Sequence, residues 1–326
     1  MAAQQKLCRI DETILNDPSH EERSTLDYYL NATAFLLNTL DDDPNLRTTK
    51  LHRDLWSVIS YLSSDDDRDT VQARKAAKWV SYFGPVGKAL WHLRDKSDPQ
   101  LRRELTRLAA QPRQVVGNQF LFYLAGTMAG KGFDIVFEGD IGTKKKTPDF
   151  AATKLGKTTW VEANAKQPRI AVDSPVRISR MIRDLIAEKK LKFSDSRYVP
   201  GLIAADVSAA DYTVNELGLP PNVKLREDLI RQVPMRPGSF VYRVNEDPEW
   251  NEHPENRSNV VSYLIDEFAS IDRSRYNVTQ CLLTITRTVV EQGGMLAFPK
   301  RHLLVVHRSA EADSLFDLAN LVYVVG

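Results

Sequence analysis

The sequence predicts an α/β protein with a central mixed sheet that is flanked by helices and preceded by an all-helical N-terminal region. Two observations predict this class. The first third of the chain has apolar residues at helical spacing between polar breaks. After Pro112 the order becomes helix, strand, hairpin, helix, strand, which is typical of a mixed sheet with helices on its faces. We therefore expect a helical region over residues 1–111 and a sheet-containing domain over residues 112–326.

The predicted helices follow the apolar periodicity and end where turn-forming residues interrupt it. Aspartate-rich segments at residues 41–44 and 63–67 separate the first helices. Gly130 and Gly132 close a largely apolar helix that begins after Pro112. A later helix is strongly basic. The predicted helices cover residues 24–40, 49–63, 69–82, 87–94, 98–110, 114–130, 176–193 and 258–270.

Strand-like segments begin directly after Gly132, where apolar and polar residues alternate. Two such segments flank a short turn, and a fourth is short and apolar. The last residues, 315–326, are predicted as a helix end followed by a strand. The other predicted strands cover residues 133–137, 149–155, 158–165, 201–207, 279–287 and 302–307.

The composition excludes several classes of protein. With 326 residues, 42% hydrophobic and 27% charged, the chain is neither disordered nor a coiled-coil rod. No stretch is long and apolar enough to predict a membrane span, and the first twenty residues lack the apolar core of a secretory signal. Cys8 and Cys281 cannot form a disulfide framework or a four-cysteine zinc site. We expect a cytoplasmic protein with no membrane partner.

The net charge of +1 hides a strong asymmetry along the chain. Residues 1–69 carry a net charge of −7, whereas residues 142–197 carry +8. A basic block in a neutral chain predicts an anionic partner, of which nucleic acid is the first candidate. The alternative is a solvated basic face without a partner. The candidate phosphate contacts are Lys144, Lys145 and Lys146, and the row Arg177, Arg180 and Arg183 at spacing three on the basic helix.

Residues 149–165 are predicted to form a hairpin with acidic side chains on one face. Gly156 and Lys157 suit the two loop positions. With that loop, Asp149 lies opposite Asn164, and Glu162 is a diagonal neighbour of Asp149 on the same face. The opposite face is apolar and suited to the core. A surface hairpin with ordinary charged residues is the alternative.

Two carboxylates at this separation can hold a hard divalent cation such as Mg²⁺, or Mn²⁺, through oxygen ligands. Such an ion can polarise a phosphodiester and lower the pKa of an attacking water. Asp149 and Glu162 are therefore the candidate metal ligands.

The arrangement resembles the PD-(D/E)XK nuclease superfamily, which has the restriction-endonuclease-like fold. The resemblance rests on Pro148-Asp149-Phe150 and on residues 161–166 (VEANAK), and it covers roughly residues 114–207. It implies that Asp149 and Glu162 bind metal. It also implies that a lysine two residues after the glutamate positions water or stabilises charge.

The chain departs from this family pattern at two places. Asn164 stands at the lysine position, and Asn118 and Gln119 stand near the place where an acidic residue often lies on the preceding helix. Three outcomes are open for the missing cation. A bulge brings Lys166 inward, which is the preferred outcome; a cation of the following helix, such as Arg180, substitutes; or the site is inactive. In a regular strand Lys166 would lie roughly 13 Å from Glu162.

The leading functional hypothesis is a metal-dependent nuclease that cuts DNA, with RNA as the alternative substrate. Asp149, Glu162, Asn164 and Lys166 are its candidate catalytic residues. The helical first third would then be a regulatory, dimerisation or target-selecting module, and a dimerisation role would make the protein a homodimer. The second hypothesis is a catalytically degenerate protein that keeps the fold and binds nucleic acid or protein. The third is an unrelated α/β protein.

Overall fold

The computed structural model describes residues 9–17, 25–62, 70–95, 99–110, 115–138, 147–165, 175–206, 232–234, 240–245, 267–268, 270–272, 274–290 and 297–307. Helices and a mixed sheet make up these residues, which confirms the predicted mixture of α and β structure. Contacts divide the chain into two compact units. One contains Met1–Gly130 with Arg287–Lys300, and the other contains Lys131–Thr286 with Arg301–Gly326.

Seven helices are described in the first unit. Leucines on one face of the second helix pack against apolar side chains of the fourth to seventh helices, among them Leu55, Phe83, Leu108 and Phe122. Burial of these side chains supplies the main stabilisation of the unit. The helices are α1 (Glu12–Asn16), α2 (Thr25–Asp41), α3 (Pro44–Arg47), α4 (Lys50–Leu62), α5 (Thr70–Leu93), α6 (Pro99–Ala110) and α7 (Val115–Gly130).

Helix α5 is continuous where the sequence predicted two helices separated by a break. Pro85 lies inside the helix, and two glycines flank it. A Cβ atom on Gly84 would lie 2.6 Å from Cβ of Tyr29, and one on Gly87 would collide with the carbonyl group of Ala32. The glycines therefore permit close packing of α5 on α2 and do not end the helix.

Helix α7 packs against α5 in the first unit. A Cβ atom on Gly126 would collide with Ala89 of α5, so the two helices approach closely at this glycine. The contact division accordingly falls after Gly130, whereas the predicted domain boundary lies at residues 111 and 112. The functional division into two domains stays a prediction.

The sheet is mixed, as predicted. Its strand order is β1-β2-β3-β4-β7-β8-β6-β5. Strands β1, β2 and β3 pair antiparallel, β4 pairs parallel with both β3 and β7, and β6 pairs parallel with β8 and antiparallel with β5. The strands are β1 (Asp134–Phe137), β2 (Phe150–Lys154), β3 (Lys157–Ala165), β4 (Gly201–Asp206), β5 (Gln232–Pro234), β6 (Phe240–Asn245), β7 (Val278–Val290) and β8 (Ala297–His307).

The sequence did not predict β5 and β6. The predicted helix over residues 258–270 lies outside the described residues except at positions 267, 268 and 270, and the predicted terminal helix and strand lie outside them entirely. None of the helices among the described residues is both long and apolar enough to cross a membrane.

The connection from β3 to the parallel strand β4 contains the basic helix, as predicted. Helix α8 (Pro175–Lys189) continues into a 3₁₀ turn over Lys190–Phe193. Its apolar stripe contains Ile182, Leu185 and Ile186, all fully buried. A helical crossover of this kind is the usual connection between parallel strands.

The predicted register of the β2–β3 hairpin is wrong by two residues: Phe150 pairs with Val161, where the prediction pairs it with Ala163. Lys154 pairs with Lys157, so the two loop residues are Leu155 and Gly156, with φ angles of 51° and 76°. Such a tight loop needs positive φ at both positions, which a leucine rarely adopts, so the sequence favoured Gly156 and Lys157. Leu155 is 94% exposed and has no packing role that would mark it as a strand residue.

Candidate functional site

The corrected register changes the geometry of the predicted carboxylate pair. Phe150 pairs with Val161, so Asp149, the residue before β2, and Glu162, the residue after Val161, are near neighbours across the hairpin. Asn164 pairs instead with Ala205 on β4. The two acids therefore lie close together, and both contact the ammonium group of Lys192.

Backbone contacts hold Asp149 at the start of β2. Its backbone N–H donates to the carbonyl of Val161 at 2.9 Å, and its Oδ2 atom accepts a hydrogen bond from the N–H of Ala163 at 2.7 Å. The Asp149 side chain thus accepts a hydrogen bond from the β3 backbone at a position past Phe150, the first paired residue of β2. One quarter of this side chain remains exposed, and its other oxygen, Oδ1, faces the ammonium group of Lys192.

Two lysine side chains contact Glu162, which lies inside β3 with its side chain only 1% exposed. Nζ of Lys189 lies 2.9 Å from Oε1, and Nζ of Lys192 lies 2.8 Å from Oε2. Nζ of Lys192 also lies 3.5 Å from Oδ1 of Asp149. One ammonium group is therefore shared by both carboxylates, whose facing oxygens lie no more than about 6.3 Å apart.

The 3₁₀ turn at the end of α8 is anchored to the sheet and positions these lysines. Phe193 is fully buried, and a Cβ atom on Gly201 would lie 2.5 Å from its ring. The N–H of Asn277 donates to the carbonyl of Phe193, and the N–H of Gly201 donates to the carbonyl of Asn277, both at 2.9 Å. Lys192 precedes this anchored phenylalanine, and Lys189 lies one helical turn earlier, on the same side of the helix.

The electrostatics of the cluster follow from its burial. Burial and the neighbouring charge of Asp149 raise the pKa of Glu162 to about 8, although Lys192 and Lys189 lower it. For Lys189, burial lowers the pKa, but the charge of Glu162 and its hydrogen bond outweigh burial, so the pKa is raised. When Glu162 is ionised, two acids and two cations in contact offset much of the cost of removing each charge from water.

The predicted site residues have different outcomes. The structure brings Asp149 and Glu162 together. Asn164 is half-buried on β3, and by strand alternation it lies on the same face as Glu162. Lys166 and the three lysines at 144–146 lie outside the described residues.

Arg180 and Arg183 of the α8 row do not supply the cation at Glu162. Arg180 is exposed, and Arg183 is 57% exposed with its guanidinium 3.9 Å from Asp184. For Arg177 the structure describes only the backbone. Among the residues that the structure describes, Lys189 and Lys192 are the cations paired with Glu162.

Sequence reasoning missed both lysines, although the sequence carries a signal for one of them. Lys189 follows Leu185 by four positions and Ile186 by three, so it continues the apolar stripe of α8. A lysine in a buried stripe requires a buried acidic partner. Lys192 carries no comparable signal, because the change from α to 3₁₀ geometry decides its direction.

The donor set is compatible with a hard divalent cation. Asp149 and Glu162 offer carboxylate oxygens, the ligands that Mg²⁺ prefers, and they already share one cation, the ammonium of Lys192. Within the described part of the chain, no group of three or more histidine, cysteine or acidic side chains could hold a metal ion. The remaining ligands of an ion here would come from water or substrate.

Comparisons with family models, with curated proteins and with solved structures find no match to this chain.

Proposed function

We propose that this protein is a metal-dependent nuclease that hydrolyses phosphodiester bonds in DNA, with RNA as the alternative substrate. The observation that carries the proposal is that Asp149 and Glu162 lie close enough together to share one ammonium group, that of Lys192. In this proposal residues 112–326 form a restriction-endonuclease-like domain. The helical region over residues 1–111 is then a regulatory, dimerisation or target-selecting module.

Asp149 and Glu162 would hold Mg²⁺ or Mn²⁺, which when bound polarises the phosphodiester and lowers the pKa of water. The N–H of Ala163 orients Asp149, and Lys189 holds Oε1 of Glu162. Lys192 is the described cation that contacts both acids. From a position beside the metal it would supply the positive charge that Asn164 lacks and stabilise the negative charge that develops on the phosphate. Lys192 thereby replaces Lys166 as the preferred cation.

The basic segment supports an anionic polymer as substrate. Residues 142–197 carry a net charge of +8, and Arg180 and Arg183 are exposed on α8. Exposed cations on this helix would hold phosphates through charge, with a strong dependence on salt. Arg177 and the lysines at 144–146 remain predicted contributors to this surface.

The second candidate function is a catalytically degenerate protein that binds nucleic acid. The observation in its favour is the burial of Glu162. Its side chain is 1% exposed, and each of its carboxylate oxygens contacts an ammonium group. Such a cluster can serve as a structural ion-pair network without a metal. Asparagine in place of lysine at position 164 favours the same candidate.

The deciding experiment compares Asp149→Asn with Asp184→Asn in Mn²⁺ calorimetry and in plasmid cleavage with Mg²⁺ or Mn²⁺. Asparagine at position 149 removes the charge and keeps an oxygen for the N–H of Ala163. Asp184 is a matched control, because its side chain is 63% exposed on α8. We expect the wild type and the control to bind Mn²⁺ and cut DNA, and Asp149→Asn to lose at least about a hundredfold in cleavage rate.

Other outcomes have definite meanings. Equal metal binding by the wild type and Asp149→Asn would remove Asp149 as a ligand. Salt-dependent binding of DNA by a wild type that neither binds Mn²⁺ nor cuts would select the degenerate candidate. Parallel reactions with single-stranded RNA decide between the two substrates.

A further inference from the structure

The two lysines of the cluster differ in what they contact. Lys189 is paired with Oε1 of Glu162 and with Glu188, whereas Lys192 reaches Oε2 of Glu162 and Oδ1 of Asp149 together. Both ammonium groups lie within 2.9 Å of Glu162. Of these two lysines, Lys192 is the one that contacts the facing oxygens of both proposed metal ligands.

An ammonium group and a divalent ion cannot share this position. A metal bound to both carboxylates needs the oxygens that the Lys192 ammonium contacts, and two cations at such a distance repel strongly where water is scarce. Lys189 presents no such conflict, because its contact with Oε1 leaves Oε2 and Asp149 free for another cation.

We propose that Lys192 occupies the divalent-cation position of this site, so that metal binds only when the Lys192 ammonium leaves the carboxylate pair. The inference rests on the proposed metal-binding function of Asp149 and Glu162. It makes Lys192 a built-in competitor that lowers the affinity for metal and keeps Glu162 paired while metal is absent.

The surroundings of Lys192 allow this exchange. Its side chain is 20% exposed, Asp149 beside it is 25% exposed, and its long aliphatic stem has several rotatable bonds. Its backbone stays fixed, because Phe193 is buried against Gly201 and hydrogen-bonded to Asn277. The ammonium can thus move while the turn that carries it does not.

The test is calorimetric titration of metal-free full-length protein with Mn²⁺, comparing Lys192→Met with Lys189→Met. Each variant removes one positive charge at nearly the same distance from Glu162. A general charge effect therefore raises metal affinity in both, whereas competition raises it chiefly in Lys192→Met. We expect Lys192→Met to bind Mn²⁺ about tenfold more tightly than the wild type, and Lys189→Met to change by less than about threefold.

Several results would overturn the inference. An equal rise in Mn²⁺ affinity in Lys192→Met and Lys189→Met would assign the effect to the general loss of positive charge. Unchanged or weaker Mn²⁺ binding in Lys192→Met would show that Lys192 does not compete with the metal. Lys192→Arg keeps the charge and is expected to retain wild-type affinity. Thermal unfolding checks that each variant folds. If Lys192→Met does not fold, Lys192→Gln takes its place in the same titration.

Failure of this inference is distinguishable from failure of the proposed function. If Mn²⁺ binds the wild type but not Asp149→Asn, and Lys192→Met binds no more tightly than the wild type, only the competition is refuted. If neither the wild type nor any Lys192 variant binds Mn²⁺, both are refuted. If only the Lys192 variants bind, competition is supported and the native protein is the degenerate candidate.

Discussion

Replacement of Glu162 by glutamine is expected to remove a large pH dependence from the stability of the fold. The side chain of Glu162 is only 1% exposed, and burial with the charge of Asp149 raises its pKa to about 8 from an ordinary value of 4.5. The folded protein therefore retains a proton between these pH values that the unfolded chain releases. Stability contributed by Glu162 is full below pH 4.5 and is lost as the pH rises to about 8.

The size of the effect follows from that pKa difference. At 1.36 kcal/mol for each pKa unit, the free energy of unfolding falls by on the order of 5 kcal/mol between the two values. Glutamine has the shape of the protonated acid and does not titrate. Glu162→Gln is therefore expected to match the wild type near pH 5 and to exceed its stability by several kcal/mol near pH 8.

Urea unfolding followed by tryptophan fluorescence at several pH values between 5 and 8.5, with chelator present, measures both proteins. The difference between wild type and variant cancels the titration of other groups. A difference that stays constant, or that favours the wild type increasingly as the pH rises, would refute the reasoning. It would show that Lys189 and Lys192 outweigh burial and keep Glu162 ionised.

Three further predictions test the surroundings of the site. Gly201→Ala places a methyl group 2.5 Å from the Phe193 ring, so it is expected to destabilise the protein by about 1–3 kcal/mol in urea unfolding; an unchanged stability would mean that the ring moves freely. Leu155→Asn suits the positive φ of 51° and is expected to stabilise the hairpin by about 0.5 kcal/mol, whereas a destabilised variant would contradict the observed turn. Replacing Arg177, Arg180 and Arg183 of the α8 row with alanine is expected to weaken DNA binding and to flatten its salt dependence. An unchanged slope of affinity against salt concentration in filter-binding assays would show that the row contacts no phosphate.

The sequence by itself determined the class of the fold, the place of most described helices and strands, and the two acidic residues of the site. Periodicity is local information, so α2, α4 and α8 were predicted to within one or two residues, apart from the 3₁₀ turn at the end of α8. Alternation along β2 and β3 was enough to put Asp149 and Glu162 on one face, because a register error of two residues preserves the face.

The tertiary structure decided the rest. The positive φ of Leu155 moved the turn by one residue and changed the register of the two strands next to the acids, a choice that the composition of the loop does not dictate. Close packing on α2 kept α5 continuous through Pro85. The cations at Glu162 come from the end of α8, 27 and 30 positions along the chain, and Phe193 reaches its place only when β4 and β7 are assembled. A contact between residues so distant in sequence depends on how whole elements pack, and no local pattern encodes that packing.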